Sequence, residues 1–494
     1  MIRARILVLG IIVVVAAGCV TVGPDYRKPE LPVPAVWNGP RFSDNTMMSY
    51  RADELSRWWE CLGDPVLTRL IEMSLTDGTD MRAAQAKLME ARARRGVSGS
   101  YMFPTITASG SGSRSRGSRE TGSGNTRTFY NAGFDASWEP DIFGGVRRGI
   151  EAAQADLEGA LAGMYATQVS LVAEVALNYI EARSYMERLT IASKNLESQT
   201  ETYQLTGWRN QAGLATSLDV EQARTNLEQT RSRIPVLRIG LAAAENRLAV
   251  LVGKAPGAVN EILSVEAPVP DVPETVAVGI PAQAIGNRPD VSVAERRLAA
   301  ETARIGQAVA KRYPGFSLSA SFGVEALTLG GLGGGSAAYR SAVGRIFATI
   351  FDAGRLRLQV EIQNAVQEQA LIAYEKSVLV ALEEVENALV SMFESRRQHD
   401  ALQSAAEAAR NAALLARHMY TGGLIDFQSV LDSERTRFTV EENLAIAKAS
   451  GASSLIRLYK ALGGGWPQSD VSVAEQVSNV EVAEAGGLTD GGGK

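Results

Sequence analysis

The sequence has little of what most enzymes rely on. Its 494 residues include 2 histidines and 2 cysteines, too few for a disulfide framework, a zinc cluster or a histidine-centred active site. A hydrolase built from this chain would have to work mostly with carboxylates. An excess of one charge sign is missing too. The 50 Lys and Arg against 55 Asp and Glu give a net charge of −5, and no basic block offers a footprint for nucleic acid, so no nucleic-acid partner is expected. Mean hydropathy is −0.04, and no run reaches the roughly 18 to 20 apolar residues of a bilayer-crossing helix, so helical spanning is not expected. The chain does contain 45% apolar residues, which is enough for folding and too much for disorder.

Residues 1–18 read as an export signal. Arg3 and Arg5 precede an apolar stretch that ends in Ala16-Ala17-Gly18, directly before Cys19. This junction resembles the lipobox of bacterial lipoproteins, which implies that Cys19 is the lipidated first residue of the mature chain. Val20 follows it where an inner-membrane lipoprotein tends to carry Asp, which favours the outer membrane. An ordinary signal peptide with an incidental cysteine is the alternative. Residues 19–64 then read as an extended, lipid-anchored segment, with prolines at 24, 29, 32, 34 and 40. Cys61, beside Trp58 and Trp59, is assigned no role.

The chain repeats itself at an offset of 210 positions. Asp80 then meets Asp290, Leu88 meets Leu298, Gly144 meets Gly354, Arg247 meets Arg457 and Gly253 meets Gly463. One unbroken register carrying glycine and arginine matches indicates a tandem duplication. The expected organisation is a first repeat at 65–253, a proline-rich linker at 254–281, a second repeat at 282–463 and a glycine-rich tail at 464–494.

Each repeat passes from helical to alternating to helical periodicity. Tyr130, Ala132, Phe134, Ala136 and Trp138 alternate with polar residues, as do Phe316, Leu318, Ala320, Phe322 and Val324. Segments of about ten residues with one apolar and one polar face suit a transmembrane β-barrel. The hairpins are expected at about 104–139 and 314–351. The weaker strand of the first hairpin is expected from Pro104 to about Gly112 and that of the second at roughly Arg340 to Ile350, and the glycine-rich run from Leu329 to Ser336 is read as a flexible loop. Residues 147–212 form a helical stretch that would run about 100 Å, and its apolar residues form two adjacent stripes, so it needs a neighbour on each side. The flanking stretches, about 65–101 and 216–252, are shorter. Four strands cannot close a barrel, so several copies must combine.

The segments Val22-Gly-Pro-Asp-Tyr26, Trp58-Trp59 with Asp64-Pro65, Trp138-Glu-Pro-Asp-Ile-Phe-Gly144, the two Gly-Leu turns and Leu462-Gly-Gly-Gly-Trp466 resemble the outer membrane factor family of TolC-like ducts, in its lipoprotein branch. The resemblance implies a mixed α/β membrane protein in the bacterial outer membrane. Its homotrimer would join a 12-stranded transmembrane β-barrel, four strands per chain, to a long periplasmic α-helical barrel. It also implies a periplasmic adaptor, an inner-membrane RND transporter, passive export of small molecules, and no cofactor beyond the lipid on Cys19. By position, Phe134, Trp138, Phe316 and Phe322 would face lipid. Gly213, Leu214, Gly423 and Leu424 would dock the adaptor, and Tyr420, Asp426 and Asp432 would narrow the periplasmic entrance. The alternatives are a type I protein-secretion duct, a coiled-coil structural lipoprotein and an outer-membrane-tethered enzyme.

Overall fold

The computed structural model describes residues 21–38, 55–265, 267–273, 276 and 280–467. Cys19, the export signal and the chain beyond residue 467 lie outside these residues. Helices α1 (Pro65–Asp77) and α2 (Thr79–Ser100) lead into strands β1 (Thr105–Arg116) and β2 (Thr126–Trp138), then helices α3 (Gly145–Gln211) and α4 (Ser217–Leu251). Two short helices follow, α5 (Asn260–Leu263) and α6 (Pro281–Gly286). The order then recurs as α7 (Pro289–Ala310), β3 (Gly315–Ala326), β4 (Ala338–Phe347), α8 (Arg355–Thr421) and α9 (Phe427–Ala461). Both α3 and α8 have 67 residues, and they begin at 145 and 355, 210 positions apart. Both α4 and α9 have 35 residues and begin at 217 and 427. The duplication thus holds residue by residue.

Three sequence expectations need correction. The helical stretch at 65–101 is two helices, because Gly78 breaks it with an extended ψ of 133° and packs against the carbonyl of Ser74. Strand β1 does not end near Gly112. Its Ser, Gly and Arg residues have poor strand propensity, yet every one pairs with β2 through Arg116 opposite Thr126, and pairing outweighs propensity. The run beginning at Leu329 opens with a 3-10 turn over Leu329–Gly333 rather than as a featureless loop. In addition, α3 holds an 18-residue window of mean hydropathy 1.4, so length and composition alone would let it cross a membrane. Its side chains Leu171, Val172, Val175, Ala176, Tyr179 and Ile180 are instead buried in a protein core.

The described residues divide into two compact units, one drawn from 21–30, 87–160 and 293–375, the other from 31–38, 55–86, 161–292 and 376–467. The first contains the sheet, antiparallel in the order β1-β2-β3-β4. Below the strands, the segment after Thr21 straps onto α3. Arg148, only 4% exposed, donates to the carbonyls of Val22 and Gly23 and to Asp25. Tyr26 donates its hydroxyl to Glu295, which Arg296 also holds. Burial first, then Glu295, pushes the Tyr26 phenol above its ordinary range. Gly23 has φ +94° and lies so close to Gly306 that a Cβ would come within 2.4 Å of the Gly306 Cα. This explains why the motif requires glycine there.

In the second unit the family-like motifs close on one another. Trp58 stacks on Tyr459 at 5.3 Å and meets Trp59 edge-on at 6.0 Å. Gly465 donates to the carbonyl of Leu55, while Trp466 packs on Tyr165 and donates to the carbonyl of Asn287. Asp64 caps α1 and accepts the Tyr179 hydroxyl at 2.5 Å; Tyr179 in turn accepts from Arg183 Nε at 2.9 Å. Arg183 also donates to the carbonyls of Leu263 and Val265. A buried cation held in this way fastens the chain after α5 to α3 and α1.

Candidate functional site

Two places in the fold bear on function. The first is the sheet. Residues directly opposite on antiparallel strands share a face. Phe134 lies opposite Phe322 and Trp138 opposite Leu318, with Phe316 two residues further along β3. The same face takes Ile106 and Ala108 of β1, opposite Ala136 and Phe134. Phe134 and Phe322 are exposed there, at 58% and 63%. The other face is polar. Asp135 accepts from Ser109 at 3.3 Å and Ser321 at 2.7 Å, and Asn131 donates to the Tyr339 hydroxyl at 3.1 Å. The Tyr339 ring covers the facing pair Gly133 and Gly323, where any Cβ would strike it. Both outer strands, β1 and β4, leave one edge unpaired within the chain. Such edges are templates for further strands.

The second place is the pair of turns that end α3 and α8. Gly213 and Gly423 adopt φ +75° and +74°. Gly213 donates to Asn210 and Leu214 to Arg209; Gly423 donates to Tyr420 and Leu424 to Met419. Both are Schellman closures, which need a left-handed residue and so favour glycine. Each turn leaves its leucine outside, with Leu214 69% and Leu424 73% exposed.

The next helices start with caps of opposite composition. In the first repeat Thr216 accepts from the Asp219 backbone, and Asp219 accepts back from Thr216. In the second repeat the acid stands first: Asp426 accepts from the backbone and hydroxyl of Ser429, at 2.9 and 2.6 Å. Those two donors hold the Asp426 carboxyl below its ordinary range.

The residues expected at the entrance do not come together as one group within the chain. Tyr420 is 9% exposed, packs with Phe427, Val430 and Leu431, and lies under the Arg209 guanidinium. Asp426 serves as a helix cap. Asp432 is exposed, accepting from Gln428 at 3.0 Å with Arg435 at 4.0 Å. Neither aspartate bonds to Tyr420. Arg209 and Asp219 escaped the sequence reading, and Thr216 entered it only as the end of a turn, although the 210-residue offset sets Asp219 against Ser429 and could have revealed the swapped caps. Among the described residues, no group of His, Cys, Asp or Glu is arranged to hold a metal ion.

The chain matches the family described as "Outer membrane efflux protein" twice, over residues 70–254 and 280–464, again 210 positions apart. It is 31% identical to Nodulation protein T of Rhizobium leguminosarum bv. trifolii, over 91% of this chain and 95% of that one. It is also 31% identical to the toluene efflux pump outer membrane protein TtgC of Pseudomonas putida, covering 96% and 98%. The solved outer-membrane channel OprN superposes with a TM-score of 0.83 at 34% identity, over 90% of this chain and all of that one. A sheet with one apolar and one polar face, two glycine-closed helical hairpins in a duplicated chain, and these matches agree: the chain belongs to the outer membrane efflux protein family.

Proposed function

We propose that the chain is the exit duct of a tripartite efflux system, set in the outer membrane and extending into the periplasm. Three copies join edge to edge into a twelve-stranded barrel and carry small molecules outward passively. A periplasmic adaptor links them to an inner-membrane RND transporter, which supplies the energy. The sheet carries this reading: four strands, two unpaired edges, one apolar face suited to lipid and one polar face suited to water. In it, Phe134, Trp138, Phe316 and Phe322 face lipid and Asp135 faces the lumen.

The same reading gives each end a role. The exposed Leu214 and Leu424, presented by Gly213 and Gly423, dock the adaptor, and Tyr420, Asp426 and Asp432 border the entrance. Residues 65–253 and 282–463 are the two repeats, joined by 254–281. Cys19 carries the lipid: Thr21, two residues later, packs on Gly144 between β2 and α3, which suits an anchor beside the barrel wall. Palmitate labelling that survives Cys19→Ser unchanged would remove the anchor.

The detergent-solubilised protein should have the mass of three chains, migrate heat-modifiably on gels and conduct in planar bilayers. A mass of one or two chains, or no conductance, would refute the duct.

A further inference from the structure

The outer strands of the sheet continue into helices with an open side. α2 runs into β1 and β4 runs into α8, while between them β2 leads into α3 and α7 into β3. Next to the β2–β3 ladder, α3 and α7 pack antiparallel on each other. A Cβ on Gly145 would touch Ala310, one on Gly149 would touch Gln307 and one on Gly159 would touch Arg296. Ala155 packs with Ala299 and Ala300. The ion pairs Arg304–Asp156 and Arg296–Glu158, at 2.5 and 2.8 Å, close the flanks.

The duplication carries this packing to the chain's edges. α2 and α7, β1 and β3, and α3 and α8 each begin 210 positions apart, without insertion. When copies join edge to edge, α8 of one therefore stands to α2 of the next as α3 stands to α7 within one chain, the end of one hairpin beside the start of another. Shifted by the offset, Gly145 with Ala310 becomes Arg355 with Ser100, Gly149 with Gln307 becomes Gln359 with Val97, and Ala155 with Ala299 becomes Ala365 with Met89. Ala152 and Ala303, both buried, become Ile362 and Ala93.

The positions covered within the chain are thus the ones left bare at its edges. Ile362 is 63% and Val97 57% exposed, and Met89 and Leu358 are exposed as well. Such apolar patches mark a surface that another surface covers. The charges beside them are complementary. Arg92 and Glu368 are exposed and make no hydrogen bond or ion pair with any described residue. Each stands one position before a residue of the seam, Ala93 and Gln369, and in antiparallel helices such positions share a flank. Glu361, the preceding acid on that side of α8, is already held by Arg357 at 3.1 Å.

We propose that residues 89–100 of α2 pack on residues 355–369 of α8 in the neighbouring copy, at the register of the internal duplication, with Met89, Ala93 and Val97 of one copy against Ala365, Ile362 and Leu358 of the other and Arg92 paired with Glu368. The proposal rests on the trimeric barrel reading above. It extends the junction between copies from the strands into the helices, so that the wall is sealed between chains by the same packing that seals it within one.

The test uses the full-length protein, purified in detergent, in a Cys61→Ala background. Ala93→Cys combined with Ile362→Cys should give a disulfide-linked trimer on heated non-reducing gels, returned to single chains by reduction. Each single cysteine should stay unlinked, as should Ala93→Cys with Gln369→Cys, whose second thiol lies about 10 Å further along α8. Arg92→Glu should lower the temperature at which the trimer dissociates by a few degrees, and adding Glu368→Arg should restore it. An unlinked Ala93→Cys/Ile362→Cys protein that still has the mass of three chains would overturn the packing and give this face to lipid or to the adaptor. Equal linkage in the off-register pair would overturn the register, and a double charge variant no more stable than Arg92→Glu alone would overturn the ion pair. A wild-type mass of one or two chains would instead refute the barrel reading itself.

Discussion

Arg209 holds its guanidinium 4.5 Å above the ring of Tyr420, and that ring lies 5.4 Å from Phe427. The last turn of α3 is thereby clamped to the last turn of α8 and the first of α9. The clamp uses the face of the ring, so Tyr420→Phe should preserve it, whereas Arg209→Ala and Tyr420→Ala should break it. Tyr420→Ala should cost the tip about 3 kcal/mol, and both clamp-breaking variants should conduct more than wild type in planar bilayers. A gate that works through the Tyr420 hydroxyl predicts the reverse: increased conductance in Tyr420→Phe/Asp432→Ala and none in Arg209→Ala.

The two caps differ in composition, and the one at Asp426 gives a pH signature. Thr216→Ala should destabilise the start of α4 by about 1 kcal/mol. The Asp426 carboxyl is held below its ordinary range by the Ser429 hydroxyl and amide. A depressed carboxyl contributes stability that is present above its unfolded value and lost as pH falls through the folded one. Hydrogen exchange at the start of α9 should therefore accelerate only in strong acid. Asp426→Asn, which keeps the acceptor without the charge, should remove that dependence, and a persisting acid transition would count against the cap.

Glu434 behaves oppositely. It is 5% exposed, and burial raises its carboxyl, opposed by the nearby Arg437 and Arg417 and reinforced by Glu201. A raised carboxyl opposes folding once it is ionised, so this region should gain stability as pH falls from neutrality through the folded value and change little below the unfolded one. Glu434→Gln should make the trimer more heat-resistant at pH 7 and flatten the pH dependence of its stability above the ordinary glutamate range. A less stable Glu434→Gln protein at pH 7 would show that the two arginines outweigh burial.

The strap after Thr21 depends on two glycines in contact. At Gly23, φ +94° and a Cβ position 2.4 Å from Gly306 leave no room for alanine. Gly23→Ala should release the segment, exposing the bonds from Arg148 to Val22 and Gly23. Limited proteolysis should then cut near Arg27 and Lys28 much faster than in wild type, while the trimer persists. Unchanged proteolysis would mean that the strap is held elsewhere.

Sequence by itself determined the architecture wherever the deciding signal was local. Alternation in β2 and β3, the 210-residue offset, and glycine at 213 and 423 each reflect a backbone period or a left-handed φ, which neighbouring residues set without reference to the rest of the chain. The swapped caps, Thr216 with Asp219 and Asp426 with Ser429, are local too, and were legible in principle from the same offset. Tertiary structure alone decided the rest. The length of β1 depends on β2, because Ser and Gly join a strand only when a ladder recruits them. Trp58 meets Tyr459 and Tyr420 meets Arg209 across hundreds of residues, where no spacing rule applies. Asp64, the N-cap of α1, is also the terminus of a chain through Tyr179 to the buried Arg183. On the strands the register decided which way each arginine faces: Arg114 and Arg340 lie on the face of Phe134 and Phe322 and form no ion pair with any described residue, and a shift of one residue would send each to the opposite face of the sheet.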